Sequence, residues 1–281
     1  MNIGIIGVGL IGGSIALKLK QKQIVNKVVG IDLNEQNLAD ALSLKIIDEK
    51  CTLDKGFKDL DLIIIAIPVD ATRKILPQIL DKISNTQTVM DVGSTKFGIV
   101  EIVENHPKRN RFVAFHPMWG TENNGPKSAI AESFKGKAAV ICDAEDSAKD
   151  ALEQVKNIAE ALDMHLIYMD AQAHDLHTAY ISHISHITSY ALANTVLEKE
   201  KEEETIFQLA STGFSSTVRL AKSHPEMWVP IFQQNKNNVL DVLNEHISQL
   251  SKFKTALEQN DFQYLEELIS NANKIRAILD K

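Results

Sequence analysis

The first fourteen residues constrain this chain more than any other stretch. Ile3 to Ile6 is a short apolar run that leads into Gly7-x-Gly9-x-x-Gly12, and Ser14-Ile-Ala-Leu-Lys-Leu19 continues with helical character. Each glycine in such a strand–turn–helix unit has its own physical reason. Gly7 permits the tight turn, Gly9 lets backbone approach a pyrophosphate, and Gly12 lets helix and strand pack closely. The helix start, Leu10 and Ile11 included, presents free N–H groups and a positive dipole end to an anion. A second apolar strand, Val28 to Ile31, ends in Asp32, twenty residues beyond Gly12. A carboxylate there accepts hydrogen bonds from both ribose hydroxyls and repels a 2′-phosphate, and Leu33-Asn34 offers no cation to hold one. The expectation is a dinucleotide site that takes NAD rather than NADP.

The same alternation continues. Asp61 to Pro68 is a β-branched run suited to a strand buried on both faces, and Thr88–Val92 and Phe112–Phe115 are further strands separated by helical stretches. This predicts an α/β fold, a Rossmann doubly wound and mostly parallel sheet with its ligand site at the carboxyl ends of the strands. Residues following strand ends gain weight accordingly: Asp32, Pro68, Ser94 and His116. From about Ala171 the composition changes, with one Gly (Gly213) and two Pro left. Helices are predicted near 172–200, 203–222, 225–251 and 255–279, with Ser223-His-Pro-Glu226 reading as a capping box. The expected organisation is an NAD-binding domain over 1–170 and an all-helical domain over 171–281.

Composition narrows the class. With 44% hydrophobic and 24% charged residues the chain should fold as a soluble protein. A formal charge of −7 without a Lys/Arg cluster argues against nucleic acid as a partner. Cys51 and Cys142 stand far apart, which suits free thiols in a reducing compartment better than a disulfide or zinc site. The first strand starts at once, leaving no room for a leader, and the run Leu62–Val69 is too short to span a bilayer. These observations point to a cytoplasmic protein without membrane attachment.

Four groups of residues can carry chemistry. Ser94, in Asp91-Val-Gly-Ser-Thr-Lys96, either caps the following helix or points a hydroxyl into the crevice beside the nicotinamide. His116, at a strand end across the sheet from the glycine loop, is either structural or a general base near neutral pH. Thr121 and Glu122, five and six residues on, either orient substrate or are ordinary loop groups. Four histidines fall between Asp170 and His186. A metal is disfavoured because His177 and His186 lie on opposite faces at about 100° per residue. Ser182 and His186 share a face, with Asp175 near the same stripe, so a polar stripe facing a substrate is the better reading. Arg219 is either a surface ion-pair partner or a bidentate clamp for a substrate carboxylate.

Taken in order, Gly7-x-Gly-Leu-Ile-Gly-Gly-Ser14, Asp91-x-Gly-Ser94-x-Lys96, His116-Pro-Met-x-Gly-Thr121-Glu122, Ser182-His-x-x-His186 and Arg219-x-Ala-Lys-Ser-x-Pro-x-Met-Trp228 resemble the prephenate/arogenate dehydrogenase family of tyrosine biosynthesis. The resemblance implies NAD-dependent oxidative decarboxylation of prephenate, with arogenate, or a β-hydroxyacid dehydrogenase-type reaction, as the alternative. It implies that His116 takes the C4 hydroxyl proton and that Ser94 hydrogen-bonds that hydroxyl. Arg219 would grip a carboxylate, Ser182 and His186 would line the side-chain end, Thr121 and Glu122 would order the entrance, and Trp228 would pack nearby. A homodimer through the helical domain is implied as well. Two departures stand out: Trp119 stands where members of the family often carry a small residue, and Ser215-Ser216 where they tend to have charged or polar residues of the Lys/Asp type before Arg219.

Overall fold

Alternation along each strand explains how one sheet acquires two cores. Leu62, Ile64, Met90, Val113 and Phe115 point to one face, and Ile63, Ile65, Val89, Phe112 and Ala114 point to the other. Both faces are covered by helices, so the strands in the middle of the sheet are buried on both sides and mostly apolar. The computed structural model describes residues 1–55, 57–203 and 205–279 of the chain. The end of the expected helical domain, Asp280 and Lys281, lies outside the described residues.

The strands are β1 (Asn2–Ile6), β2 (Lys27–Ile31), β3 (Glu49–Lys50), β4 (Leu62–Ile65), β5 (Thr88–Asp91), β6 (Phe112–Pro117), β7 (Ala138–Cys142) and β8 (His165–Met169). They form one sheet in the order β3-β2-β1-β4-β5-β6-β7-β8, parallel except for the β6–β7 pair. Helices α1 (Leu10–Gln21), α2 (Glu35–Ser43), α3 (Val69–Lys82), α4 (Phe97–Glu101) and α5 (Lys149–Ala161) belong to this layer. The α/β doubly wound, mostly parallel sheet is therefore present. The chain order reverses between β1 and β4, and that reversal opens a crevice at the strands' carboxyl ends, the ordinary place for a ligand in such sheets.

Beyond β8 the chain is helical: α6 (Ala171–Thr178), a π-helical turn (Ala179–His183), α7 (Ile184–Glu200), α8 (Thr212–Thr217) and α9 (Pro225–Gln234). The expected helix over 203–222 is instead a series of short turns around α8, interrupted by extended backbone at Ala210 and Ser211. The expected helix over 225–251 breaks at Asn235, whose side chain is buried and donates to the Asp175 carbonyl oxygen at 2.6 Å. The capping box does not form either. His224, not Ser223, precedes the first helical residue, Pro225 occupies that first position, and no side chain caps the end.

Two compact units result, Met1–Asn235 and a second beginning at Lys236. The second contains α10 (Lys236–Glu258), α11 (Phe262–Ala272) and α12 (Arg276–Leu279), with α10 and α11 packed together. Ile247, Leu250, Leu257, Phe262 and Ile269 on α10 and α11 are all exposed. Among the described residues no helix is long and apolar enough to cross a membrane.

Candidate active site

The glycine turn is fixed by backbone geometry. Gly7 has φ +93°, and a Cβ there would lie 2.3 Å from the Ala66 carbonyl oxygen; one on Gly12 would lie 2.2 Å from the Gly7 oxygen. Neither contact is tolerable, so both positions require glycine. Gly9 differs, because a Cβ there would meet nothing within 4 Å. It borders open crevice at the start of α1, where no side chain caps the helix and no acidic residue occupies the first turn. A cradle left open by a missing side chain, at an uncapped helix start, fits a pyrophosphate. Asp32 stands beside it, its carboxylate accepting from Val8 N at 3.1 Å and Asn34 N at 2.8 Å.

Strand parity then sets the chemistry. His116 shares its side of β6 with Phe112 and Ala114, so it faces the layer built by residues 171–235, including Trp228 and Ile231. There it lines a cavity of about 550 Å³, a volume suited to a small-molecule ligand. Gly9, Leu10, Ile11 and Pro68 line the end of this cavity beside the glycine turn, and Ser94, Thr121, Glu122, Ser182, His186, Arg219 and Trp228 line the remainder. Gly7, Gly12 and Asp32 do not line it; they shape and brace the loop beside it.

Ser94 does not cap a helix. The helix begins three residues later at Phe97, and its first amides are bonded from elsewhere, which leaves the Ser94 hydroxyl at the cavity wall. The loop holding it is pinned by a fully buried ion pair between Lys96 and Asp91. The same ammonium donates to the Phe115 carbonyl oxygen at 2.8 Å, tying the loop to the residue before His116.

The π-helical turn reorients its segment, a feature common at functional sites. Ser182 and His186 both reach the cavity, and His186 Nδ1 donates to the Ser182 carbonyl oxygen at 3.1 Å. The His186 ring stacks on Trp228 with centroids 3.4 Å apart. Trp228 Nε1 is buried without a hydrogen-bond partner among the described residues. Asp175 departs from the expected stripe: it is buried, turned toward α4, and accepts from Lys96 N at 2.7 Å and Phe97 N at 3.0 Å. His177 is exposed, and among the described residues no three His, Cys, Asp or Glu side chains gather as metal ligands.

Arg219 opens a 3₁₀ turn rather than lying within a helix, and its guanidinium pairs with Glu122 at 3.1 Å. Backbone N–H and this guanidinium hold the Glu122 carboxyl below the usual range. Burial lowers the imidazoles as well, which for these groups favours the neutral form. His116 is held well below the usual histidine range by burial and by the neighbouring His174, Lys96 and His183. His183 is lowered to about 4 and His186 is lowered too, both chiefly by burial. These rings are neutral at neutral pH.

Sequence reasoning missed one feature entirely. His174, buried in α6, bonds His116 Nδ1 through its Nε2 at 2.8 Å and Asp175 Oδ1 through its Nδ1 at 2.8 Å. The available signal was a His-Asp pair inside a short helix, but nothing local ties it to a strand 58 residues earlier.

An open glycine turn at a helix start, a carboxylate beside it and a neutral histidine on the same crevice fit a dinucleotide-dependent oxidoreductase. Residues 15–168 match the family described as prephenate dehydrogenase, nucleotide-binding domain, and residues 170–271 match prephenate dehydrogenase, dimerization domain. The chain is 33% identical to prephenate dehydrogenase from Bacillus subtilis over 96% of its own length and 74% of the relative's. It is 29% identical to cyclohexadienyl dehydrogenase from Zymomonas mobilis, over 99% and 96%. The structure of prephenate dehydrogenase from Aquifex aeolicus in complex with hydroxyphenyl propionate and NAD+ is similar at TM-score 0.91 and 30% identity, covering 99% of this chain and 98% of that one. The chain belongs to the prephenate dehydrogenase family.

Proposed function

We propose that this protein catalyses the NAD-dependent oxidative decarboxylation of prephenate to 4-hydroxyphenylpyruvate in tyrosine biosynthesis. Family membership supplies the reaction, and the observation that carries its residue-level reading is the neutral His116 on the cavity that Gly9, Ser94 and Arg219 also line. NAD, when bound, accepts a hydride from C4 of the substrate. His116 takes the C4 hydroxyl proton, Ser94 orients that hydroxyl, and the C1 carboxylate leaves as carbon dioxide. The electron pair it releases completes the aromatic ring, and the proton held on His116 returns to the phenolic oxygen. The protein's contribution is alignment and one well-placed base, each a sizeable rate effect.

Arg219 holds a substrate carboxylate, with Glu122 exchanging its own contact to the guanidinium for the ligand's. Ser182 and His186 contact the side-chain end, Trp228 forms the wall behind His186, and Thr121 keeps the entrance turn through its bond from Asn123 N at 3.2 Å. Gly7, Gly9, Leu10, Ile11, Gly12, Asp32 and Pro68 form the NAD side. The exposed apolar side chains of α10 and α11, within a region matching a dimerization domain, support a homodimer through the helical part (residues 171–281). Two free cysteines support a cytoplasmic enzyme.

Steady-state rates with prephenate or arogenate, each with NAD or NADP, test this reading. The expected result is fastest turnover of prephenate with NAD, with kcat/KM flat above the usual histidine range and falling only on the acid side as His116 gains a proton. Preference for arogenate would keep the chemistry and move the substrate. Inactivity with both, in a protein that binds NAD, would overturn the assignment.

A further inference from the structure

We infer that His174 and Asp175 are positioning residues that fix the tautomer of His116, so that its Nε2 presents a lone pair to the substrate hydroxyl. The inference rests on His116 as the base and extends that reading to two buried residues outside the cavity wall.

A chain of hydrogen bonds leads to His116, and the polarity of each bond follows from the one before. Lys96 N and Phe97 N can only donate, and both donate to Asp175, one to each carboxylate oxygen. Asp175 is thereby held as an acceptor. Its Oδ1 also lies 2.8 Å from His174 Nδ1, so that nitrogen carries the proton. Burial holds His174 below the usual histidine range, so the ring is neutral and its Nε2 is an acceptor. That Nε2 lies 2.8 Å from His116 Nδ1, which must therefore donate. A neutral His116 with its proton on Nδ1 has its lone pair on Nε2, the ring nitrogen left for the cavity.

The anchoring is firm at both ends. His174 and Asp175 are almost wholly buried, and Asn235 Nδ2 fixes the start of the π-helical segment by bonding the Asp175 carbonyl oxygen at 2.6 Å and His183 Nδ1 at 3.1 Å. Thr178 Oγ1 bonds the His174 carbonyl oxygen at 3.0 Å. The charged and titratable groups facing His116 are His174 from α6, His183 from the π-helical turn, and Lys96 with its partner Asp91 from the β5–α4 loop. When His116 takes the substrate proton, its Nδ1–H already points at a neutral acceptor backed by a carboxylate, which stabilises the imidazolium without any second proton transfer. The proton stays on His116 until it returns to product.

Three variants and one spectrum test this. His174→Phe keeps a ring but removes the acceptor, and kcat is expected to fall by about 100-fold or more while NAD binding is retained. His174→Gln can place a carbonyl oxygen where Nε2 stood, and it should recover at least about tenfold of that loss. Independently of activity, long-range proton–nitrogen NMR of the ¹⁵N-histidine enzyme reports the tautomer directly. Its His116 signal, identified by its disappearance in His116→Asn, should show a protonated Nδ1 and an unprotonated Nε2. An Nε2-protonated His116 in the wild-type spectrum would overturn the inference, whether or not the Phe variant folds. So would His174→Phe and His174→Gln with equal, near wild-type kcat. Turnover surviving in His116→Asn would instead remove the base assignment itself.

Discussion

The two ends of the cavity are built in different ways. Beside the glycine turn the wall is backbone: a turn with φ +93°, a glycine open to the crevice, an uncapped helix start. At the other end, which we propose holds the substrate, it is side chains brought from β6, α6, the π-helical turn, α7, the Arg219 turn and α9. A backbone site is written in consecutive residues and tolerates change only where space is empty. A side-chain site is assembled over long sequence distances and depends on second partners that never touch the ligand.

That difference gives an ordered set of expectations. Apart from His116 and its partner His174, the largest effect belongs to Arg219. Arg219→Ala should lower kcat/KM for prephenate by about 10- to 100-fold, from the loss of one charge-assisted contact of about 1.5–3 kcal/mol, with NAD affinity unchanged. Steady-state kinetics beside NAD titration would show whether the two ends are as separable as the geometry implies.

A paired substitution sharpens the cofactor side. Gly9→Ala adds a methyl where the protein itself leaves room, so thermal stability should hold while NAD binding weakens about tenfold, or about 1.4 kcal/mol. Gly12→Ala instead drives Cβ against the Gly7 oxygen and should cost about 1–3 kcal/mol of stability. Calorimetric NAD titration and thermal unfolding separate the two, and equal behaviour of both variants would contradict the distinction. A comparable effect is expected from Asp32→Asn, which should raise the NADP-to-NAD ratio of kcat/KM by about tenfold by removing charge repulsion toward a 2′-phosphate.

Stability against pH probes the side-chain end. His183 titrates at about 4 in the folded protein against about 6.5 unfolded, and His116, His174 and His186 are lowered as well. The unfolded chain therefore binds more protons as pH falls below about 6.5. Stability should be full above that point and decline toward pH 4, by on the order of 3 kcal/mol for His183 alone. Denaturant unfolding at a series of pH values measures this, and His183→Gln should flatten the slope.

The same contrast decides what could be read from sequence. The glycine turn, Asp32 and the apolar strands are local patterns, and the structure places them in a doubly wound sheet. His116, Ser94, Ser182, His186, Arg219 and Trp228 were recognisable as candidates, and the fold gathers all six on one cavity. Their supports were hidden. Asp175 was placed on the substrate stripe by counting 100° per residue, but it lies in α6 before the π-helical turn and faces the amides of Lys96 and Phe97. Uninterrupted helices over 203–222 and 225–251 were expected because apolar periodicity continues through both. The first is broken by extended backbone at Ala210 and Ser211, and the second by the buried Asn235, whose partners, Asp175 and His183, lie 60 and 52 residues away.

The most direct test of the central claim is a single comparison on His116→Asn: NADH formation from prephenate measured beside NAD binding. With His116 as the base, kcat should fall by about 10²- to 10⁴-fold with the affinity for NAD retained. Turnover at near wild-type rate would contradict it, because the base would then have to be another group on this cavity.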